Sequence, residues 1–209
     1  MITGITLALA LAGAQQSGNF HFQAESVPHK TMAKSSIATE LVNMVSGGGD
    51  TVHIVLRLGK NPTRSGILSL DLDGFALQHS LGGNAYIAAC NPTLLDPRQV
   101  LSTFDIQELL PLEPRWKLHS FLADHRVPTW TMPPPKTFAQ KQDPTVAVYV
   151  MYHKDSDATL ASEDAKTDFG AKVRSVIETN NVVVMELPYS AIFRLIEEDR
   201  VLYIEPALP

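Results

Sequence analysis

Between residues 52 and 58 the chain reads VHIVLRL, in which Val52, Ile54, Leu56 and Leu58 alternate with His53, Val55 and Arg57. Alternation at period two predicts a strand with one buried face. Asn61, Pro62 and Thr63 then form a helix start, because proline is tolerated near the first helical position. The segment running on to Asp73 carries Ile67, Leu68 and Leu72 as its predicted apolar face, and Gly74 ends it. FALQHSL over 75–81 and AYIAAC over 85–90 flank Gly82, Gly83 and Asn84, which accept the positive φ of a tight turn, so these runs predict a hairpin. A second helix is predicted from Asn91, Pro92 and Thr93 to Thr103, with Pro97 confined to its first turn. Residues 106–112 close the block as a fourth strand. The order is β-α-β-β-α-β.

The same order returns further along the chain. VAVYVMY over 146–152 predicts a strand, residues 158–169 a helix ended by Gly170, and KVRSVIE over 172–178 and VVVMEL over 182–187 two strands around Asn180 and Asn181. Pro188 opens a helix, YSAIFRLIEED, with Ile192, Leu195 and Ile196 on one side, and residues 201–204 form the last strand, closed by Glu205 and Pro206. The first strands of the two blocks lie about 94 residues apart and the ends of the last strands about 92. The pattern predicts an α+β protein of two tandem ferredoxin-like (βαββαβ) modules with antiparallel sheets, over 51–122 and 146–209.

Between the blocks, residues 127–144 contain five prolines, three of them consecutive at Pro133, Pro134 and Pro135. This composition predicts a stiff, extended linker over 123–145. Residues 15–50 read as a polar leader holding His21 and His29, with helical spacing only at Ile37, Leu41, Met44 and Val45 and with order beginning at Thr51. The first 14 residues pair an apolar run from Ile5 to Ala12 with the small residues Ala12, Gly13 and Ala14, and are read as a signal peptide. That predicts a secreted or periplasmic protein with no membrane contact in the mature form.

Composition narrows the functional classes. The 209 residues carry a net charge of −5 and no long basic run, which argues against nucleic acid as a partner. Cys90 is the single cysteine, so no intrachain disulfide can form, and its strand position suits a small buried hydrophobe. Seven histidines are spread along the chain without a His-x-x-x-His pair, a Cys-x-x-Cys pair or an aspartate-rich calcium loop, so neither a metal nor another cofactor is expected. His119 and His125 flank a short helical bridge and are expected to be exposed. No Gly-x-Ser-x-Gly and no phosphate loop occurs, and nothing marks a nucleophile beside a base, so the chain is not expected to be an enzyme. Glu197, Glu198 and Asp199 form a solvated acidic cluster whose carboxylates could also cap helix N-termini of a partner.

The run Asp199-Arg200-Val201-Leu202-Tyr203-Ile204-Glu205-Pro206, a helix-to-strand junction ending on Ile-Glu-Pro, resembles the end of the N-terminal propeptides of subtilisin-like serine proteases. Glu186-Leu187-Pro188 is similar to that family's third strand and helix start. The first block resembles an additional N-terminal module of some bacterial members, through Gly83-Asn84-Ala85-Tyr86 and the exit Leu112-Glu113-Pro114-Arg115-Trp116-Lys117-Leu118. The resemblance covers about 51–122 and 146–209. It implies an inhibitor and folding chaperone that packs a sheet on a subtilisin-like catalytic domain, in cis in a longer precursor or in trans. It also implies a tail, Tyr203, Glu205, Pro206, Ala207, Leu208 and Pro209, lying substrate-like in the protease cleft. No catalytic motif follows Pro209, so the chain itself is expected to lack the protease domain. Two other readings suit the same pattern: a duplicated ligand-sensing module, and a structural or adhesive module.

Overall fold

The computed structural model describes residues 19–22, 26–47, 50–135 and 137–208. Residues 1–14, expected as a signal peptide, and Pro209 lie outside the described residues. The protein is α+β, with two four-stranded antiparallel sheets and one two-stranded ladder of β1 (Asn19–His21) and β2 (Ser26–Pro28). Residue contacts divide it into two compact units. One includes Val27–Asp50 and Val55–Leu110; the other is made of Phe22–Ser26, Thr51–Ile54 and Pro111–Pro209.

The first unit contains helix α1 (Lys34–Gly47), strand β3 (Val52–Leu58) from Val55 onward, helix α2 (Arg64–Leu72), strands β4 (Phe75–Gly82) and β5 (Ala85–Cys90), helix α3 (Pro97–Thr103) and strand β6 (Ile106–Pro111) up to Leu110, in the sheet order β4-β5-β3-β6. The β4–β5 hairpin turns through Gly83 and Asn84, with Gly82 paired to Ala85 and both glycines at positive φ. Gly74 ends α2 at φ 93°, where a Cβ would come within 2.9 Å of the Asn91 carbonyl, so this position demands glycine.

Three features of this unit differ from the sequence expectation. Helix α3 begins at Pro97 rather than at Asn91, because Asp96 caps it, its Oδ1 accepting from the N–H of Arg98 at 2.9 Å and of Gln99 at 3.3 Å. Helix α2 turns Leu70 inward, flanked by the small Gly66 and Ser69, and leaves Ile67, Leu68 and Leu72 exposed. The inward stripe follows the 3.6-residue period from Gly66, not from the larger apolar residues. Part of the leader is also structured: α1 buries Ile37 and Leu41 completely, and Arg57 and the N–H of Lys30 both bond the buried Glu108 carboxylate at 3.0–3.1 Å. Two residues of ordinary helical spacing were enough to place α1 in the core once a partner layer existed.

The second unit contains β7 (Thr145–Tyr152), helix α6 (Ala158–Phe169), β8 (Lys172–Ile177), β9 (Val182–Pro188), helix α7 (Tyr189–Leu195) and β10 (Val201–Pro206), preceded by the short helices α4 (Ser120–Ala123) and α5 (Phe138–Gln142). Its sheet order is β10-β7-β9-β8. In both sheets, numbering strands within the block, the order is fourth, first, third, second. Val146, Val148, Val150 and Tyr152 point inward from β7, and Ala161, Ala165 and Phe169 of α6 and Ile192 and Leu195 of α7 cover them. The spacing of the α6 positions is i, i+4, i+8, one helical face. Asp157 caps α6 by accepting from Thr159 and Leu160, and Gly170 closes it in the left-handed region at φ 66°.

Residues 111–145, expected in part as an extended linker, cluster with this unit. Leu118 and Leu122 enter its core, and Thr131 is buried in a turn with its hydroxyl bonded to the Pro128 carbonyl at 2.7 Å. Stiff proline segments pack as well as span; the neighbouring Leu118, Leu122 and Val127 supplied the apolar surface that held this one down.

Candidate functional site: the C-terminal strand and its sheet face

Strand β10 forms one side of the second sheet and pairs antiparallel with β7, Tyr203 opposite Met151, Glu205 opposite Tyr149 and Pro206 opposite Val148. On its other side the His119 N–H donates to the Ile204 carbonyl at 2.9 Å, beside a parallel bridge from Leu118 to Ile204. The strand was expected to stop at Ile204. It continues to Pro206, and the Ala207 N–H still donates to the Ala147 carbonyl at 2.9 Å. A proline lacks only the N–H, which a strand on the outside of a sheet can do without. Pro206 and Ala207 are buried, while Leu208 is 69% exposed. Of the residues assigned to a free tail, Tyr203, Glu205 and Pro206 therefore belong to the ladder, Ala207 is tied to it, Leu208 projects, and Pro209 lies outside the described residues.

Alternation along β7, β9 and β10 puts Ala147, Tyr149, Met151, Val184, Tyr203 and Glu205 on the face opposite the core, each partly buried. Burial pushes the Tyr203 phenol far above its usual range, with the Glu205 charge adding to the shift, and burial likewise raises the Glu205 carboxyl. Glu186, opposite Ala147, is held by Arg174 across the β8–β9 pair, with Nε 2.9 Å from the carboxylate. The face has an aromatic and thioether centre, with Glu205 and Glu186 on either side of the first half of β7. Such a surface suits contact with another protein, since aromatic residues and methionine combine large apolar area with adaptable fit.

The acidic cluster lies beyond α7, which ends at Leu195 rather than running on through Asp199. Carboxylates at a helix C-terminus oppose its dipole, and a cation answers it here: the buried Lys117 ammonium donates to the carbonyls of Ile196 at 3.1 Å and Glu198 at 3.0 Å. Burial lowers the Lys117 pKa, against the raising charges of Asp199, Glu197 and Glu198. Glu197 is exposed, Glu198 faces Arg200 Nε at 3.5 Å, and Asp199 is committed to His53.

That last contact joins residues the sequence left scattered. The His53 ring stacks on His153 with centroids 3.5 Å apart and planes at 6°, its Nδ1 lies 2.6 Å from Asp199 Oδ2, and its Nε2 lies 3.1 Å from Asp155 Oδ1. His53 was read as the outward side of a half-buried strand, yet β3 is covered on both faces at this point. The loop carrying His153 and Asp155 is braced by Asn181, whose amide donates to the carbonyls of His153 and Ser156 and accepts from the Ala158 N–H. His125 is exposed as expected, but His119 is partly buried, caps α4 through Nδ1, and has its pKa lowered by burial. The role of Lys117 had one faint sequence signal, a lone lysine inside the apolar exit Trp116-Lys117-Leu118; the His53 cluster had none.

Among the described residues no group of three or more histidine, cysteine or acidic side chains is arranged to hold a metal ion, and no helix is long and apolar enough to cross a membrane. Comparisons with protein-family models, with curated proteins and with solved structures found no match to this chain.

Proposed function

We propose that this protein is a propeptide-like inhibitor and folding chaperone of a subtilisin-like serine protease, built from two ferredoxin-like modules and acting by binding rather than by catalysis. The observation that carries this reading is the C-terminal arrangement. Strand β10 ends on Ile204-Glu205-Pro206 at the side of a sheet ordered fourth, first, third, second, and the chain leaves it through an exposed Leu208. The adjoining sheet face, with Tyr149, Met151, Val184 and Tyr203, supplies an apolar area for the protease surface. The exposed Glu197 carboxylate is the member of the acidic cluster offered to a partner's helix N-terminus. Leu208, projecting past the end of the strand, is the residue offered to the protease cleft. The partner is a catalytic domain outside these 209 residues, met in cis in a longer precursor or in trans, in a secreted or periplasmic setting.

The full chain is titrated against a panel of purified subtilisin-like proteases, and is added to their acid-denatured catalytic domains during refolding. Inhibition is expected, weakened at least about tenfold by deletion of residues 208–209 with the melting temperature unchanged, since one well-placed pocket contact is worth roughly a decade in affinity. Neither inhibition nor faster refolding across the panel would overturn the reading.

A further inference from the structure

The His53 side chain is 4% exposed and meets a carboxylate at each ring nitrogen, while its backbone N–H donates to Asp199 Oδ1 at 3.0 Å. An ionised carboxylate only accepts hydrogen bonds, and a neutral imidazole carries one N–H. Both ring contacts are satisfied together only when His53 is the imidazolium ion. Asp199 is the ionised partner. Burial, the largest single influence on it, favours its protonated form, but the side-chain and backbone hydrogen bonds from His53, with the charges of His53 and Lys117, outweigh that and hold its pKa below the usual value. His153 lies parallel to His53 at 3.5 Å. Two charges at that separation repel strongly, so a charged His53 goes with a neutral His153.

We propose that His53 is a protonation switch. Charged, it clamps Thr51–Ile54, which clusters with the second unit, onto the turn after β7 through Asp155 and onto the turn before β10 through Asp199. Neutral, it has one donor for two carboxylates, and a nitrogen lone pair then faces carboxylate oxygen. The longer contact, to Asp155, is the one that opens, and Thr51–Ile54 loosens. Among the described residues, the groups facing His53 include His153 and Asp155 from the end of β7, with Lys154 between them in sequence, and Asp199 from the turn before β10. Lys117 acts on Asp199 and is itself acted on by Glu197 and Glu198, and Arg200, which follows Asp199, pairs with Glu198. The switch is independent of whether the tail meets a protease.

The test uses the full chain, labelled for imidazole nitrogen NMR and read by amide hydrogen exchange corrected for the intrinsic pH dependence. At pH 6 both ring nitrogens of His53 are expected to carry protons. Protection of the His53 N–H is expected to fall at least about tenfold between pH 6 and 8.5, as one linked proton changes an equilibrium by up to a decade per pH unit. His53→Gln, which cannot change charge, should abolish the step. Asp155→Asn and Asp199→Asn, in exposed turns, should each shrink it. His153→Phe, which keeps a flat ring in the stack, should leave it. A single ring proton at pH 6, an undiminished step in His53→Gln, or undiminished steps in both aspartate variants would overturn the proposal; the aspartate variants decide it if His53→Gln does not fold.

Discussion

Asn181 is a two-part test of how the second unit is held. Its backbone sits in the left-handed region at φ 54° and ψ 41°, and its side chain makes three hydrogen bonds: to the His153 carbonyl, to the Ser156 carbonyl at 2.8 Å and from the Ala158 N–H at 3.2 Å. Replacement by glycine keeps the backbone conformation accessible and deletes the bonds. At a net of roughly 0.5–1.5 kcal/mol for each of three, Asn181→Gly should cost about 2–4 kcal/mol. Asn181→Ala deletes the same bonds and adds the steric cost of a Cβ at positive φ, roughly a further 1 kcal/mol. Both tryptophans, Trp116 and Trp130, belong to the second unit, so urea unfolding followed by tryptophan fluorescence reads that unit directly. A glycine variant within about 0.5 kcal/mol of the parent would refute the hydrogen-bond argument. An alanine variant no less stable than the glycine variant would refute the left-handed one.

Two further outcomes follow from titrating groups. The folded-state pKa of Asp199 lies below its unfolded value, so its contribution to stability is complete above about pH 4 and is lost as pH falls through the folded value. Acid unfolding curves of the parent and of Asp199→Asn should therefore separate near neutrality and converge at low pH, and parallel curves down to pH 2 would contradict this. Cys90 is fully buried and burial pushes its thiol up to about 11, so thiolate is scarce at pH 8. Alkylation by iodoacetamide at that pH should track unfolding in urea; prompt labelling of the native protein would show the site to be open.

The strand pattern was legible because period-two alternation and turn chemistry are local. Gly82, Gly83 and Asn84 could be read as a turn from residue type alone, and the β7 alternation from Val146 to Tyr152 is the burial pattern observed. Helix boundaries were less legible. The Asp96 and Asp157 caps were overlooked, and the rotation of α2 went the wrong way, since a helix with apolar residues on two sides does not say which side will be covered. In the candidate site the sequence located Tyr203, Glu205 and Leu208. It could not tell that Pro206 would stay in the ladder, a matter of which side of the strand the neighbouring β7 occupies.

By itself the sequence determined the doubled β-α-β-β-α-β order, the glycine positions and the acidic, single-cysteine composition, because each follows from residue type and spacing within a few positions. Tertiary structure decided what depends on residues far apart in the chain. It buried α1, drew residues 111–145 into the second unit, and placed Lys117 under the end of α7, 79 residues away from the Ile196 carbonyl it meets. It also set His53 between Asp155 and Asp199, 102 and 146 residues along the chain. A buried charge needs partners of opposite sign in reach, and no local pattern records which distant turns will supply them.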